Sequence, residues 1–465
     1  MFLKKIKYSF WIIANLFITV DIAQANVAGA YQAYQQKDYA QAIQLFEQSA
    51  HIGNVEAQLK LAVFYNQGVG VKTDLVMAYV YVSLAAEHGH EQAVSLKDVI
   101  FQKLNKTQQQ RAITLWQSYH EKYGKSSLAE NALPILREKR QYFSPIKQLS
   151  RTSTVSQQRY APVHNYLASS IFEFDVDSDG KVKDIEVAKN FYMSRFTTNN
   201  AMTEMLETKY RPAMITIKSG KKKNIATYGY RSVWAQRSIT DVYVKENLPK
   251  FYRELKRLRR SAEAGNAYDQ YQLAMFYLVF PALEVNRVRY VDYIKKSAEA
   301  GVPEAQLEYA SLLLKGAKVT YDADKAIQLT LTAAQAGNAR AQYKLARHFL
   351  SGQLLEKNEH KAHFWLEKAV AQNEPYAKYW LARLSLISKN KQYLNPEMAK
   401  RLLLETGEIQ ENNPNWFYYS ALAEHQGGNH DDAKDFLEEG LKQAKELAWN
   451  IKMFKKLAIK LAAKS

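Results

Sequence analysis

Six corner residues recur at one fixed spacing, and that spacing constrains the fold more than composition does. Gly53 and Gly89 lie 36 residues apart, and so do Gly265, Gly301, Gly337 and Asn373 in succession. Each ends an alanine-rich stretch, as in Ala85–Gly89, Ser297–Gly301 and Ala333–Asn338. Ala305, Ala341 and Ala377 keep the same step, as do Ala326 and Ala362. Small residues at fixed offsets let two short helices cross closely, and Gly or Asn supplies the left-handed cap between them. A period of this length predicts stacked helical hairpins, each burying its apolar face on the next. The expected fold is mainly α, an α-solenoid of 36-residue hairpins, with one smaller α+β domain inserted.

The hairpins also resemble a known family. Ala57-Gln58-Leu59-Lys60-Leu61-Ala62, Tyr65, Gly68-Val69-Gly70-Val71, Asp74, Ala78 and Ala85-Ala86-Glu87 resemble the Sel-one-like repeat, a relative of the tetratricopeptide hairpin. Residues 301–372 match well, and the unit after Gly265 less well, with Pro281 in its loop and Tyr290 at an alanine position. Tyr31–Ala50 and Trp416–Ala444 read as looser hairpins of the same type. The resemblance implies a scaffold that binds proteins, and no enzyme is expected.

The N-terminus differs in kind. Lys4, Lys5 and Lys7 precede an apolar run from Tyr8 to Val20, and Ala23-Gln24-Ala25 follows. These are the parts of a secretory signal, with cleavage before Asn26. The run of 13 residues is shorter than the roughly 20 a bilayer span needs. The expected location is the Gram-negative periplasm, with an inner-membrane anchor as the alternative. The chain has no cysteine, which excludes disulfides, thiolate metal sites and a cysteine nucleophile.

The net charge is +18, and residues 205–260 hold +11 of it, 15 Lys or Arg against 4 Asp or Glu. For an exported chain the matching partner is an anionic envelope surface and not nucleic acid; a solvated face explains the charge equally well.

Between the helical arrays the pattern changes. Residues 140–158 are polar and read as linker. Ile171–Val176 and Val182–Val187 alternate around Asp177-Ser178-Asp179-Gly180, the signature of a β-hairpin with a positive-φ turn. A helical segment at 200–209 ends at Tyr210-Arg211-Pro212-Ala213, and Ser219-Gly220-Lys221 leads into a third strand at about 226–234. This β-β-α-β order and these three motifs resemble the C-terminal domain of the TonB energy-transducer family over residues 160–236. The resemblance implies that the third strand pairs with an extended segment of an outer-membrane receptor. The candidate partner-binding residues are Tyr228, Tyr230, Ser232 and Trp234 on that strand, with Lys221, Lys222 and Lys223 beside it.

The expected organisation is a signal at 1–25, a helical array at 26–125, a linker at 126–157, the TonB-like domain at 158–240, a second array at 246–388, and a hairpin with its cap at 389–465. The leading reading is a periplasmic adaptor for protein partners, an outer-membrane receptor or an envelope complex, linked to receptor-dependent uptake. With ten prolines in all, the chain has no long Pro-rich spacer; an energy-coupling transport component anchored by its N-terminus is the alternative. A third reading is calcium modulation, because Asp175, Asp177, Asp179, Gly180 and Glu186 fall at EF-hand loop positions. The alternating flanks argue instead for a hairpin turn. His360, His363 and Glu367 could share a helix face, and solvated surface is the favoured explanation. No cofactor is expected. The last helix, Trp449–Lys464, reads as a cap for the final hairpin, or else as a membrane-surface contact.

Overall fold

The structure, a computed structural model, describes residues 26–137, 147–148, 168–191, 195–211, 213–216, 222–225, 227–235, 253–279, 288–316 and 318–463. The segment at 1–25 read as a signal, most of the expected linker, Pro281 and Lys221 lie outside the described residues. The chain is mainly helical, built from short helices joined in hairpins.

The corners are as the spacing predicts. Gly53, Gly89, Gly265, Gly301, Gly337 and Asn373 all take positive φ. At Gly301 the bonds Gly301 N–H to Ala298 O (3.1 Å) and Val302 N–H to Ser297 O (3.1 Å) close a Schellman turn. The next helix then starts at Pro303, whose lost donor is an orphan there anyway. Asn54 and Asn338 use their side chains to cap the following helices, accepting from Ala57 N–H and Ala341 N–H. Ala305, Ala341, Ala377, Ala326 and Ala362 are all fully buried.

A glutamine follows Gly53, Gly265, Gly301 and Gly337 at the same offset. Buried Gln58, Gln270, Gln306 and Gln342 each donate from Nε2 to the carbonyl eight residues earlier, at 3.0, 3.0, 3.4 and 3.1 Å. Each bond ties a helix to the end of the one before it across the corner. The glutamine adds a second donor to a carbonyl that the corner glycine N–H already bonds, which uses both of its lone pairs.

The contacts divide the chain into two discontinuous units. The first joins residues 26–136 to 323–372. In it Val27 N–H bonds Ala336 O (3.1 Å) and Gln335 Nε2 bonds Ile52 O (3.2 Å). Residues 126–131, expected to open the linker, instead belong to the helix Lys125–Asn131. Its end is held by Lys361 Nζ, which donates to Ala129 O and Leu133 O at 2.7 Å each, and by Trp365 Nε1, which donates to Ala132 O at 2.8 Å. A short β-bridge from Leu136 to Leu355 follows. The helices Glu91–Gln102 and Lys106–Tyr123 are also here, the second opened by a reciprocal capping box between Asn105 and Gln108.

The second unit joins residues 137–322 to 373–465. Its strands are β1 (Lys147–Gln148), β2 (Ala168–Val176), β3 (Val182–Phe191), β4 (Tyr210–Arg211), β5 (Ala213–Thr216), β6 (Lys222–Ile225) and β7 (Thr227–Ala235), with the helix Arg195–Glu207 between β3 and β4. The expected hairpin is β2–β3, and the expected third strand is β7. The sheet order is β3-β2-β7, all antiparallel. One correction concerns the path into β7. Ser219, Gly220 and Lys221 lie outside the described residues, and the strands on either side of them, β5 and β6, pair with each other as a separate two-stranded sheet before β7 begins. Tyr210 packs on Phe174 with ring centroids 5.2 Å apart, which joins the chain after the helix to the first hairpin.

Candidate protein-binding site

The β2–β3 hairpin is anchored to helices through two charged residues of β3. Asp184 sits in the left-handed region at φ 47°, an uncommon place for a non-glycine residue. Its Oδ2 accepts from Arg383 Nη1 at 3.0 Å, and its Oδ1 accepts from Tyr379 Oη at 3.2 Å, Asn415 Nδ2 at 3.3 Å and Asn413 Nδ2 at 3.4 Å. The Arg383 guanidinium also stacks 3.8 Å from the Trp380 ring and 4.7 Å from that of Tyr419. Burial, reinforced by the Asp184 carboxylate, holds the Tyr379 hydroxyl well above its usual pKa, so it stays a donor.

Lys189, further along β3, is the second anchor. Its Nζ pairs with Glu308 Oε2 at 2.9 Å and lies 3.4 Å from Tyr271 Oη and 2.9 Å from Met275 Sδ. Burial works against the Lys189 charge, but Glu308 and Tyr271 together outweigh it and the ammonium pKa is raised. Glu308 is correspondingly lowered despite its own burial, and burial pushes Tyr271 up to about 12. A buried pair like this holds only while both partners are present.

The two edges of the sheet are unlike. β2 is the central strand, so β3 and β7 are the edges. On β3 the Val187 N–H donates to Tyr376 Oη at 2.6 Å, so a helix side chain covers that edge. On β7 one side pairs with β2 from Ala168↔Ala235 through Val176↔Thr227, and the other side has no strand partner among the described residues. Tyr228, Tyr230, Ser232 and Trp234 lie in register opposite Asp175, Glu173, Ile171 and Ser169. Lys222 and Lys223 are in β6, opposite Thr216 and Ile215, and so belong to the neighbouring two-stranded sheet. An unpaired strand edge offers a row of alternating donors and acceptors to an extended peptide.

The other candidate sets are accounted for by local structure. Asp177 Oδ1 accepts from the Asp179 and Lys181 N–H groups at 2.9 Å each, and its Oδ2 pairs with Lys183 at 2.9 Å. Strands flank it, with Asp175↔Lys183 and Val176↔Val182 in register. These are the bonds of a hairpin turn with Gly180 at φ 82°, and an EF-hand would need helices on both sides. His360 bonds Asn131, while His363 pairs with Glu367 at 3.3 Å. Among the described residues no group of three or more potential ligands converges as a metal site.

Comparison with known proteins agrees with the repeat geometry. The Sel1 repeat matches residues 21–54, 55–90, 303–338 and 339–374. The chain therefore carries four Sel1-type repeats, and its first hairpin, read above as looser, is one of them. Among solved structures it is similar to a Sel1 repeat protein from Oxalobacter formigenes, at 19% identity over 40% of this chain and 78% of that one, TM-score 0.34. It is also similar to a protective antigen of uropathogenic Escherichia coli strains displaying an SLR fold, at 18% identity over 87% of this chain and 65% of that one, TM-score 0.35. A third similar structure is yeast Tom70, at 12% identity over 91% and 76% of the two chains, TM-score 0.25. No curated protein matches the chain.

Proposed function

We propose that this Sel1-like repeat protein is a non-catalytic adaptor that binds protein partners in the periplasm of a Gram-negative bacterium, exported by the segment at 1–25. Helical hairpins serve as its frame. The inserted domain, which resembles the TonB C-terminal domain, takes an extended segment of an outer-membrane receptor or another envelope protein along β7, in support of receptor-dependent uptake. The observation that carries this reading is the asymmetry of the β3-β2-β7 sheet, with β3 covered at Val187 by Tyr376 and β7 open among the described residues. Main-chain bonds would supply most of the affinity, and the lysines near β7 would mainly speed encounter.

The test uses the full chain, because Asp184 and Lys189 would lose their helix partners in an isolated insert. In an antiparallel strand, successive N–H groups point to opposite edges. Of Gly229→Pro and Tyr230→Pro, one therefore deletes an outward donor and the other a donor to β2. With a photocrosslinker at Ser232, envelope partners should be captured by wild type and lost in the outward-donor variant. Equal capture by folded wild type and both variants would exclude strand addition at β7. N-terminal sequencing of the exported protein should begin at Asn26, and a retained N-terminus would favour the anchored alternative.

A further inference from the structure

The last described helix, Lys452–Ala462, divides its surface sharply. Phe454, Leu457 and Leu461 are buried to 1–2%, so the apolar stripe is spent on capping the preceding hairpin. The outward side carries Lys452, Lys455, Lys456 and Lys460, all exposed, with no acidic residue between Asn450 and Ser465. Among the described residues none of these four ammonium groups has a carboxylate partner. The helix before it, His430–Glu446, is different: there Lys434 lies 3.9 Å from Asp431 and Lys442 lies 3.9 Å from Glu439. In the middle of the lysine face Ile459 stands 70% exposed.

We infer that this face is a docking surface for an anionic lipid bilayer. Four unpaired lysines on one face complement a plane of lipid phosphates, and one isolated large apolar side chain among them suits the boundary between headgroup and acyl chain. Because Phe454, Leu457 and Leu461 are already buried, the helix does not insert an apolar face as a free amphipathic helix would. Attachment is electrostatic, shallow and reversed by salt. The inference does not depend on which membrane compartment the protein occupies, and it goes beyond peptide capture at β7.

The test is co-sedimentation of the full chain with vesicles of phosphatidylglycerol or of phosphatidylcholine. Wild type should pellet with the anionic vesicles in excess over the neutral ones, and about 0.5 M salt should abolish that excess. Each lysine removed should weaken binding about fivefold, so Lys455→Gln, Lys456→Gln and Lys460→Gln combined should lose on the order of a hundredfold. The melting temperature should stay unchanged, since these side chains are exposed. The chain has no cysteine, so Ile459→Cys accepts a single environment-sensitive dye. Its emission should shift to the blue with phosphatidylglycerol vesicles and not with millimolar inorganic phosphate. Equal pelleting of the triple variant, or anionic-vesicle binding without a dye shift, would place the contact elsewhere, for instance on the basic stretch at 205–260, and overturn the inference. A comparable shift with inorganic phosphate alone would overturn the assignment to a bilayer.

Discussion

Replacing Asp184 should unfasten the β2–β3 hairpin from its helices. The carboxylate accepts four bonds, and its side chain is 8% exposed. Deleting one partner of a buried ion pair costs about 3–5 kcal/mol, mostly because the other charge is stranded. Here the Arg383 side chain keeps 16% of its surface exposed and stays stacked on Trp380, which softens that penalty. For Asp184→Ala we expect about 2–4 kcal/mol. Backbone conformation supplies an internal control. At φ 47° a Cβ is strained, so Asp184→Gly should be milder than Asp184→Ala by about 1 kcal/mol, although it removes the same bonds. Because the chain comprises two units, a single melting curve would mix their transitions. The suitable assay is native-state amide exchange, read along Val182–Phe191. Exchange there should accelerate roughly 30- to 1,000-fold in Asp184→Ala. An acceleration below about threefold, or a glycine variant worse than the alanine one, would refute the claim that this carboxylate fastens the hairpin.

Two further predictions concern His51 and Gly70 of the first unit, the latter set against Gly301 of the second. His51 stacks on Tyr123 at 3.9 Å, and burial, aided by Lys368, lowers its pKa from 6.5 to about 4. The unfolded chain therefore binds the extra proton first; the stability from neutral His51 is complete above pH 6.5 and is lost as pH falls toward 4. The opening free energy of the helices around His51, read by amide exchange from pH 7 to 4, should fall less steeply in His51→Phe, and parallel pH dependences would contradict this. Gly70, at φ 70°, would place a Cβ 2.1 Å from Tyr39 Cβ, whereas at Gly301 nothing lies within 4 Å. Gly70→Ala should thus cost about 2–4 kcal/mol and Gly301→Ala about 1–2 kcal/mol in urea unfolding, and equal costs would refute the packing described at Gly70.

The hairpins were legible because a repeat writes the same physics several times. Corner residues needing positive φ and interior positions with room only for alanine recur every 36 residues. The glutamine bonds were legible in principle, since Gln270, Gln306 and Gln342 share that period, but a buried polar residue announces itself only when its acceptor is known. The first hairpin of the insert was readable from alternation and from Asp-Gly, whereas β5 and β6, four residues each, are too short to show a pattern. The pairing of residues 125–136 with the repeats at 352–365 was hidden for another reason: Lys361 and Trp365 look like ordinary helix residues until carbonyls more than 200 positions away supply their acceptors. The same holds for Asp184, inside the expected second strand, and for Lys189, two residues past its expected end; both proved to be attachment points of the hairpin.

Among the described residues the sheet has one covered edge and one open edge, and residue-resolved amide exchange on the free, full chain measures both. Along Thr227–Ala235, N–H groups that face β2 should exchange slowly and the intervening ones fast, in strict alternation. The Val187 N–H, which faces away from β2 toward Tyr376, should be slow. Uniform protection along β7, or rapid exchange at Val187, would contradict the assignment of β7 as the edge that is free to receive a partner strand.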